Sequence, residues 1–273
     1  MLIAHISDTH IAGEGKKAYG IAPMADNLAR CIAHINSFQP APDVVLMTGD
    51  LGNAGNDQEM QQAGALLAKL NCPVYMVPGN HDDRAVMRSA FGNGACPVRD
   101  DGFINYVVDD YDVRLIGLDS TSAGKPGGEF CLIRAAWLDE QLASDSQKPT
   151  IIFMHHPPVK CSVPETDEDG FAGVEHLAGV VKKYDNIERI LCGHIHLVTH
   201  TRWHGTIISS APSMGMQLEL DLTMTNLSKF HLTSPAYLLH HWTGQNNLIT
   251  HSIDVQDIDG PYLFEEQIEF GAN

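Results

Sequence analysis

The sequence predicts an α/β fold organised on parallel β-sheet, a single domain over residues 1–273, and three observations carry that expectation. Short runs of wholly apolar residues, such as Val44-Val45-Leu46-Met47, have the character of strands buried on both faces, as parallel sheets require. Over the first two thirds of the chain these runs alternate with stretches of helical periodicity. Five of the runs end on Asp, His or Asn: Asp8 and His10, Asp50, Asn80 and His81, His155, and His194 and His196. In open α/β sheets ligands collect just outside the carboxyl ends of strands, so the functional site is expected there.

Strand Leu2–Ile6 leads into Ser7-Asp8-Thr9-His10, whose acid and histidine, two apart, project alike from extended backbone. Beyond the glycine-broken loop Gly13–Gly20, the spacing of Leu28, Cys31, Ile32 and Ile35 predicts a helix with one core face. His34 lies off that stripe and is expected to be exposed. After Asp50 the turn Gly52–Gly55 precedes Asp57, the expected N-cap of a helix to about Leu70. Cys72-Pro73 ends it and opens strand Val74–Val77, which delivers Gly79-Asn80-His81-Asp82. The Asn80 amide oxygen is a neutral metal ligand, and His81 beside it is free to face a substrate.

Phe103–Val108 and Val113–Leu118 read as a β-hairpin, with Asp119 and Ser120 after it in a supporting or structural role. Ile133–Leu142 reads as a helix with Trp137, Leu138 and Leu142 inward and Asp139-Glu140 on a solvated face. Strand Thr150–Met154 ends on His155-His156, held by Pro157-Pro158; neighbours point apart, so only one of the two histidines is expected as a ligand. Glu165–Asp169 is expected to be an acidic surface loop and Val174–Tyr184 an amphipathic helix. Strand Ile190–Cys192 then delivers Gly193-His194-Ile195-His196, whose histidines share a side yet can address different ions.

After His196 strands predominate: Leu197–Trp203, Thr206–Ser210, Tyr237–Trp242 and Leu248–Ile253. Between them Met214 to Thr225 alternates apolar and polar residues, which predicts one half-buried strand of about ten residues. The segment 213–235 is therefore expected to be a β-rich cap or interface. His200, His204, His231, His240, His241 and His251 lie on these strands and are expected to be satisfied or exposed residues outside the site.

A net charge of −17 argues against a nucleic-acid polymer as partner, which would need a basic footprint. No apolar run approaches the length of a membrane span, and no charged-then-apolar leader precedes Leu2, so neither membrane insertion nor a signal peptide is expected. Six scattered cysteines without a C-x-x-C pair fit free thiols in a reducing, cytoplasmic setting.

Asp8, His10, Asp50, Asn80, His155, His194 and His196 form a collection with one chemical reading. Two metal ions about 3.5–4 Å apart need a shared carboxylate and roughly three further protein ligands each, and seven residues with Asp50 bridging supply that number. Mixed oxygen and imidazole donors suit Zn, Mn or Fe better than Mg or Ca. Such a pair would clamp the oxygens of a phosphoryl group and bring the pKa of a water near neutrality, so generating hydroxide.

The pattern D-x-H, G-D, G-N-H-[DE], H, G-H-x-H resembles that of the calcineurin-like metallophosphoesterases, matched here by Asp8/His10, Gly49/Asp50, Gly79–Asp82, His155 and Gly193–His196. The flanking text His5-Ile-Ser-Asp-Thr-His10, Phe153-Met-His-His-Pro-Pro158 and Ser234-Pro-Ala236 is similar to that of bacterial class III cyclic-nucleotide and glycerophosphodiester phosphodiesterases, and the resemblance runs to about residue 264. It implies a four-layer α/β/β/α sandwich of two mixed sheets with metals at the sheet edges. It also implies Asp8, His10, Asp50 and His196 on one ion and Asp50, Asn80, His155 and His194 on the other. Further implications are His81 near the leaving-group oxygen, hydrolysis of small phosphodiesters, and dimers or higher homo-oligomers formed through the C-terminal strands. One position departs: relatives tend to carry a histidine before a glutamine where this chain has Met216-Gln217. Two other functions compete: a phosphomonoesterase or protein phosphatase on the same metal centre, and a silent scaffold. A scaffold would be expected to have lost ligands, whereas all seven are present.

Overall fold

In the computed structural model, which describes residues 1–92, 94–96, 102–244, 247–256 and 259–263, Val44–Met47 is a strand with every residue buried. Around it the first half of the chain runs β1 (Leu2–Ile6), α1 (Met24–Ser37), β2 (Val44–Met47), α2 (Asp57–Leu67), β3 (Val74–Met76), α3 (Arg84–Phe91), β4 (Tyr106–Val108) and β5 (Arg114–Gly117). Next come β6 (Gly128–Glu129), α4 (Leu132–Ser144), β7 (Thr150–Phe153), α5 (Pro164–Asp169), β8 (Phe171–Ala172), α6 (Val174–Val181) and β9 (Ile187–Cys192). The remaining strands are β10 (Thr199–Trp203), β11 (Thr206–Ser210), β12 (Met216–Leu218), β13 (Phe230–Leu232), β14 (Ala236–Trp242) and β15 (Leu248–Asp254).

Two mixed sheets result. One has the order β15-β14-β1-β2-β3, parallel from β1 to β3 and antiparallel at β14 and β15. The other has the order β10-β11-β9-β7-β5-β4, parallel through its centre with antiparallel edges. The strand period of two divides the side chains of the second sheet between two cores. Ile151, Phe153 and Leu191 join the core shared with the first sheet, while Ile152, Met154, Ile190 and Cys192 pack under α4 and α6. On the far side, Leu28, Cys31, Ile32 and Ile35 of α1, with Met60 and Ala63 of α2, complete the core of the first sheet. The layers are therefore α/β/β/α. Each fully buried Leu or Ile in them contributes about 1.5–3 kcal/mol. The parallel strands of both sheets deliver their carboxyl ends to one edge, where their loops interlock: Asp8 N–H donates to Gly49 O (3.1 Å) and Gly193 N–H to His155 O (2.9 Å).

Several local expectations are corrected. Asn56, not Asp57, caps α2, its side-chain oxygen accepting Glu59 N–H at 3.1 Å, and the helix stops at Leu67. Helix α3 was not expected; its signal is Asp83, whose carboxylate accepts from Ala85 and Val86 N–H. Residues 165–169 belong to the short helix α5, with a proline in its first turn beside Glu165 and Asp167, where acids favour the helix N-terminus. His34 is half-buried, within hydrogen-bond reach of the Tyr237 hydroxyl at 3.2 Å. The long alternating strand does not form. Only Met216–Leu218 is paired, against Phe230–Leu232, and Asp221 then turns the chain by accepting from the Thr223 N–H and hydroxyl. Met214 and Met216 are buried, but Leu220 and Leu222 are 56% and 68% exposed, so the alternation is not one core-facing stripe. Residues 264–273 of the expected single domain lie outside the described residues.

Candidate metal centre

Asp8, His10, Asp50, His194 and His196 all have left-handed backbone, with φ of 53°, 39°, 54°, 72° and 51°. Residues other than glycine occupy that region at a cost of about 1–3 kcal/mol each, and such strain gathers at functional sites. Here the tight turns aim side chains from successive strand ends into one space. The loops are tied together by their own backbone. His10 N–H donates to Asp50 O (2.9 Å), His81 N–H to Asp50 Oδ1 (2.9 Å), and His194 N–H to both Asp8 carboxylate oxygens (3.2 and 3.1 Å). Gly49 is required where it stands. Its φ is +93°, and a Cβ there would lie 2.7 Å from both Gly79 N and His155 Nδ1. Gly49→Ala is thus expected to displace Asp50 and lower metal content, measured by elemental analysis of the purified protein.

The distances separate two groups around one carboxylate. Asp50 Oδ2 lies 3.6 Å from His10 Nε2 and 3.4 Å from His155 Nε2. On the first side His196 Nε2 is 3.3 Å from Asp8 Oδ1 and 3.1 Å from His10 Nε2. On the second, His155 Nε2 is 3.1 Å from Asn80 Oδ1, and the His194 ring stands 5.0 Å from that of His155.

Hydrogen bonding fixes which nitrogens face the centre. A carbonyl only accepts, so His155 Nδ1–H donates to Thr48 O (2.7 Å) and His196 Nδ1–H to Met216 O (2.8 Å). Both Nε2 atoms then point inward, the orientation that outer partners impose on metal-binding histidines. Burial pushes the His10 pKa down to about 3. Asp8 and Asp50 stay ionised despite burial: His196 outweighs it at Asp8, at about 2, and His155 outweighs it at Asp50, well below the usual range. Burial lowers His155 too, but the adjacent Asp50 charge raises its pKa to about 9. Two carboxylates, an amide oxygen and imidazole nitrogens converging in a buried space fit a pair of divalent cations, whose binding would displace any proton on those nitrogens.

The family model described as calcineurin-like phosphoesterase matches residues 1–198. The chain belongs to the calcineurin-like phosphoesterase family. It is 35% identical to "Probable glycerophosphodiester phosphodiesterase GpdQ" of Arcobacter nitrofigilis, over 97% of each chain. It is 32% identical to glycerophosphodiester phosphodiesterase GpdQ of Enterobacter lignolyticus, over 98% of this chain and 96% of that one. The 3′,5′-cyclic adenosine monophosphate phosphodiesterase CpdA of Escherichia coli K12 is 26% identical over 80% of this chain and 77% of its own. A dimetal phosphatase from Danio rerio shares the fold, with a TM-score of 0.65, 16% identity, and coverage of 94% of this chain and 99% of that one.

In this phosphoesterase the remaining candidates occupy distinct places. His81 Nδ1–H donates to Asn53 O (2.8 Å), leaving Nε2 unprotonated in the neutral ring; His81 itself lines an open cavity of about 390 Å³ with His10, Asn80, Tyr19 and Phe230. His156 is turned to protein partners. Its Nε2–H donates to Pro126 O (3.0 Å), so its Nδ1 accepts from the Ser120 hydroxyl (2.9 Å), and both nitrogens are used. Among the later histidines only His240 proves fully buried. Sequence reading gave no role to Asp82, the last residue of G-N-H-D. Its carboxylate accepts N–H groups from Leu51 (3.2 Å), Gly52 (3.1 Å) and Gly79 (2.9 Å), locking the Asp50 turn to the Asn80 turn.

Asp119 is structural. It is buried and accepts from Arg84 Nε (2.5 Å), Thr121 Oγ1 (2.7 Å) and Ile104 N–H (3.2 Å). Burial would raise its pKa, but Arg84 and Thr121 hold it below the usual range. A depressed folded-state pKa gives stability above the unfolded value that is lost as pH falls through the folded one. Asp119→Ala is expected to cost about 3 kcal/mol in chemical denaturation, because Arg84 keeps some access to water, and to leave metal content unchanged.

Proposed function

We propose that the chain hydrolyses small phosphodiesters, 3′,5′-cyclic nucleotides or glycerophosphodiesters, at a dinuclear centre. Asp8, His10, Asp50 and His196 hold one ion, and Asp50, Asn80, His155 and His194 the other. The observation that carries this reading is the place of Asp50 Oδ2, 3.6 and 3.4 Å from His10 Nε2 and His155 Nε2. Two ions of Zn, Mn or Fe supply, when bound, Lewis acidity toward the phosphoryl oxygens and an acidified water. The protein's own part is to orient the ligands through Thr48 O and Met216 O and to present His81. Protonated at Nε2, His81 gives that proton to the departing alkoxide. Asn80 shares the rim of the same cavity.

Substrate size follows from charge. A net −17 repels long polyanions, while the centre gathers positive charge in a pocket fit for one phosphate. Met216, where relatives tend to have histidine, is buried and lends its carbonyl to the orientation of His196. One domain acting in the cytoplasm as a homo-oligomer completes the reading. Six free thiols and the exposed Leu220 and Leu222 support it, and no helix of the described residues is long and apolar enough to cross a membrane. In light scattering at micromolar concentration the wild type is expected above monomer mass and Leu220→Glu at monomer mass; an active monomeric wild type would contradict the oligomer.

The test of substrate is kcat/KM for a cyclic nucleotide, a glycerophosphodiester, a phosphopeptide and an oligonucleotide under one metal condition. The small diesters are expected to lead. A tenfold advantage for the phosphopeptide or the oligonucleotide would overturn the reading.

A further inference from the structure

The two sheets bury polar residues between them where apolar ones would pack more simply. His5 on β1 and His240 on β14 are wholly buried, and Arg189 on β9 is 9% exposed. Unpartnered, such groups would be costly to bury. Instead they form one connected path whose direction the chemistry dictates. The direction is set at the inner end: the Thr48 hydroxyl gives its one hydrogen to Ser7 Oγ at 2.8 Å and so accepts from His5 Nε2–H at 2.9 Å. His5 Nδ1 then accepts from His240 Nε2–H at 3.3 Å. His240 Nδ1 accepts at 2.8 Å from Thr250 Oγ1, which itself accepts from Arg189 at 3.0 Å. Ser7 points back at Thr48 O at 3.4 Å. Burial holds both imidazoles neutral, His5 down at about 3 and His240 well below the usual range, so each has one donor and one acceptor to place.

We propose that this one-way chain, Arg189 to Thr250, His240, His5, Thr48 and Ser7, positions the metal-binding loops, with His5 and His240 as positioning residues. Its end lies where three ligand-bearing turns meet. Thr48 O is the acceptor that orients His155 Nδ1–H at 2.7 Å, Thr48 precedes the Gly49-Asp50 turn, and Ser7 precedes Asp8. A Cβ on Gly193 would collide with Ser7 Oγ, so the same hydroxyl also abuts the turn that carries His194. The single hydrogen of the Thr48 hydroxyl, committed to Ser7, sets the direction of the path. With each imidazole neutral, the path from Thr250 to Ser7 has one arrangement in which every link is made, and buried networks of this kind specify geometry.

The inference rests on the two-metal reading of the site, and its test has an arm that does not. In the Zn²⁺-loaded protein, long-range ¹H–¹⁵N NMR of the imidazoles is expected to show His5 and His240 both protonated on Nε2. Protonation of either on Nδ1 would overturn the chain whatever the enzyme does. The second arm uses Thr250, half-buried on the edge strand β15 and separated from β1 by β14. Thr250→Val keeps the shape and removes the hydroxyl, whereas Thr250→Ser keeps the hydroxyl. Calorimetric titration with Mn²⁺ is expected to show about tenfold weaker binding for the valine variant, the lower end of outer-partner effects, and near-wild-type binding for serine. Wild-type affinity in the valine variant would reduce the network to packing. His240→Gln, which can donate and accept in line, is expected to bind Mn²⁺ better than His240→Leu; equal affinities would contradict the positioning role.

Discussion

Asp50→Ala is expected to abolish turnover and to release at least one ion. Among the described residues Asp50 is the one whose carboxylate oxygen stands within 3.6 Å of the inward nitrogens of both ligand groups. Without it, two cations would face each other with less negative charge between them, and the His10 and His155 nitrogens would lose their common neighbour. The loss is expected to exceed the roughly 10–100-fold seen when an outer partner of a ligand is removed. A variant with two metals per chain and intact turnover would show that Asp50 does not bridge.

The second large effect belongs to His81. Its backbone N–H is bonded to Asp50 Oδ1 and its Nδ1–H to Asn53 O, so the ring is held while Nε2 is left for the substrate. His81→Ala is expected to keep both metals and to slow turnover of an alkyl diester by about 10²–10⁴-fold, the usual cost of a lost proton donor. With p-nitrophenolate, which departs readily without a proton, the loss is expected to be smaller. Equal losses on both leaving groups would show that His81 is not the acid.

The site was more legible in the sequence than the segment after Met214. Asp8, His10, Asp50, Asn80, His155, His194 and His196 each follow an apolar strand, and the parallel topology brings those strand ends to one edge. Strand character is local information, and so the site could be assembled from it. The segment after Met214 failed for the complementary reason. Alternation alone names a face but not a partner, and Asp221 offered its backbone a turn that no ladder outcompeted. Asp82 and the His5–His240 pair escaped because their roles depend on donors supplied by distant residues, Leu51 and Gly52 for one, Arg189 and Thr250 for the other. No spacing in a single sequence announces that His5 and His240, 235 residues apart, will meet.

The most direct test of the central claim is electron paramagnetic resonance of the Mn²⁺-loaded protein, followed as metal is added up to two equivalents per chain. Two ions about 3.5–4 Å apart that share the Asp50 carboxylate must be exchange-coupled. The account predicts a coupled multiline spectrum that grows in with catalytic activity and is absent from Asp50→Ala. Isolated six-line signals at two bound equivalents, or full activity with one ion bound, would contradict it.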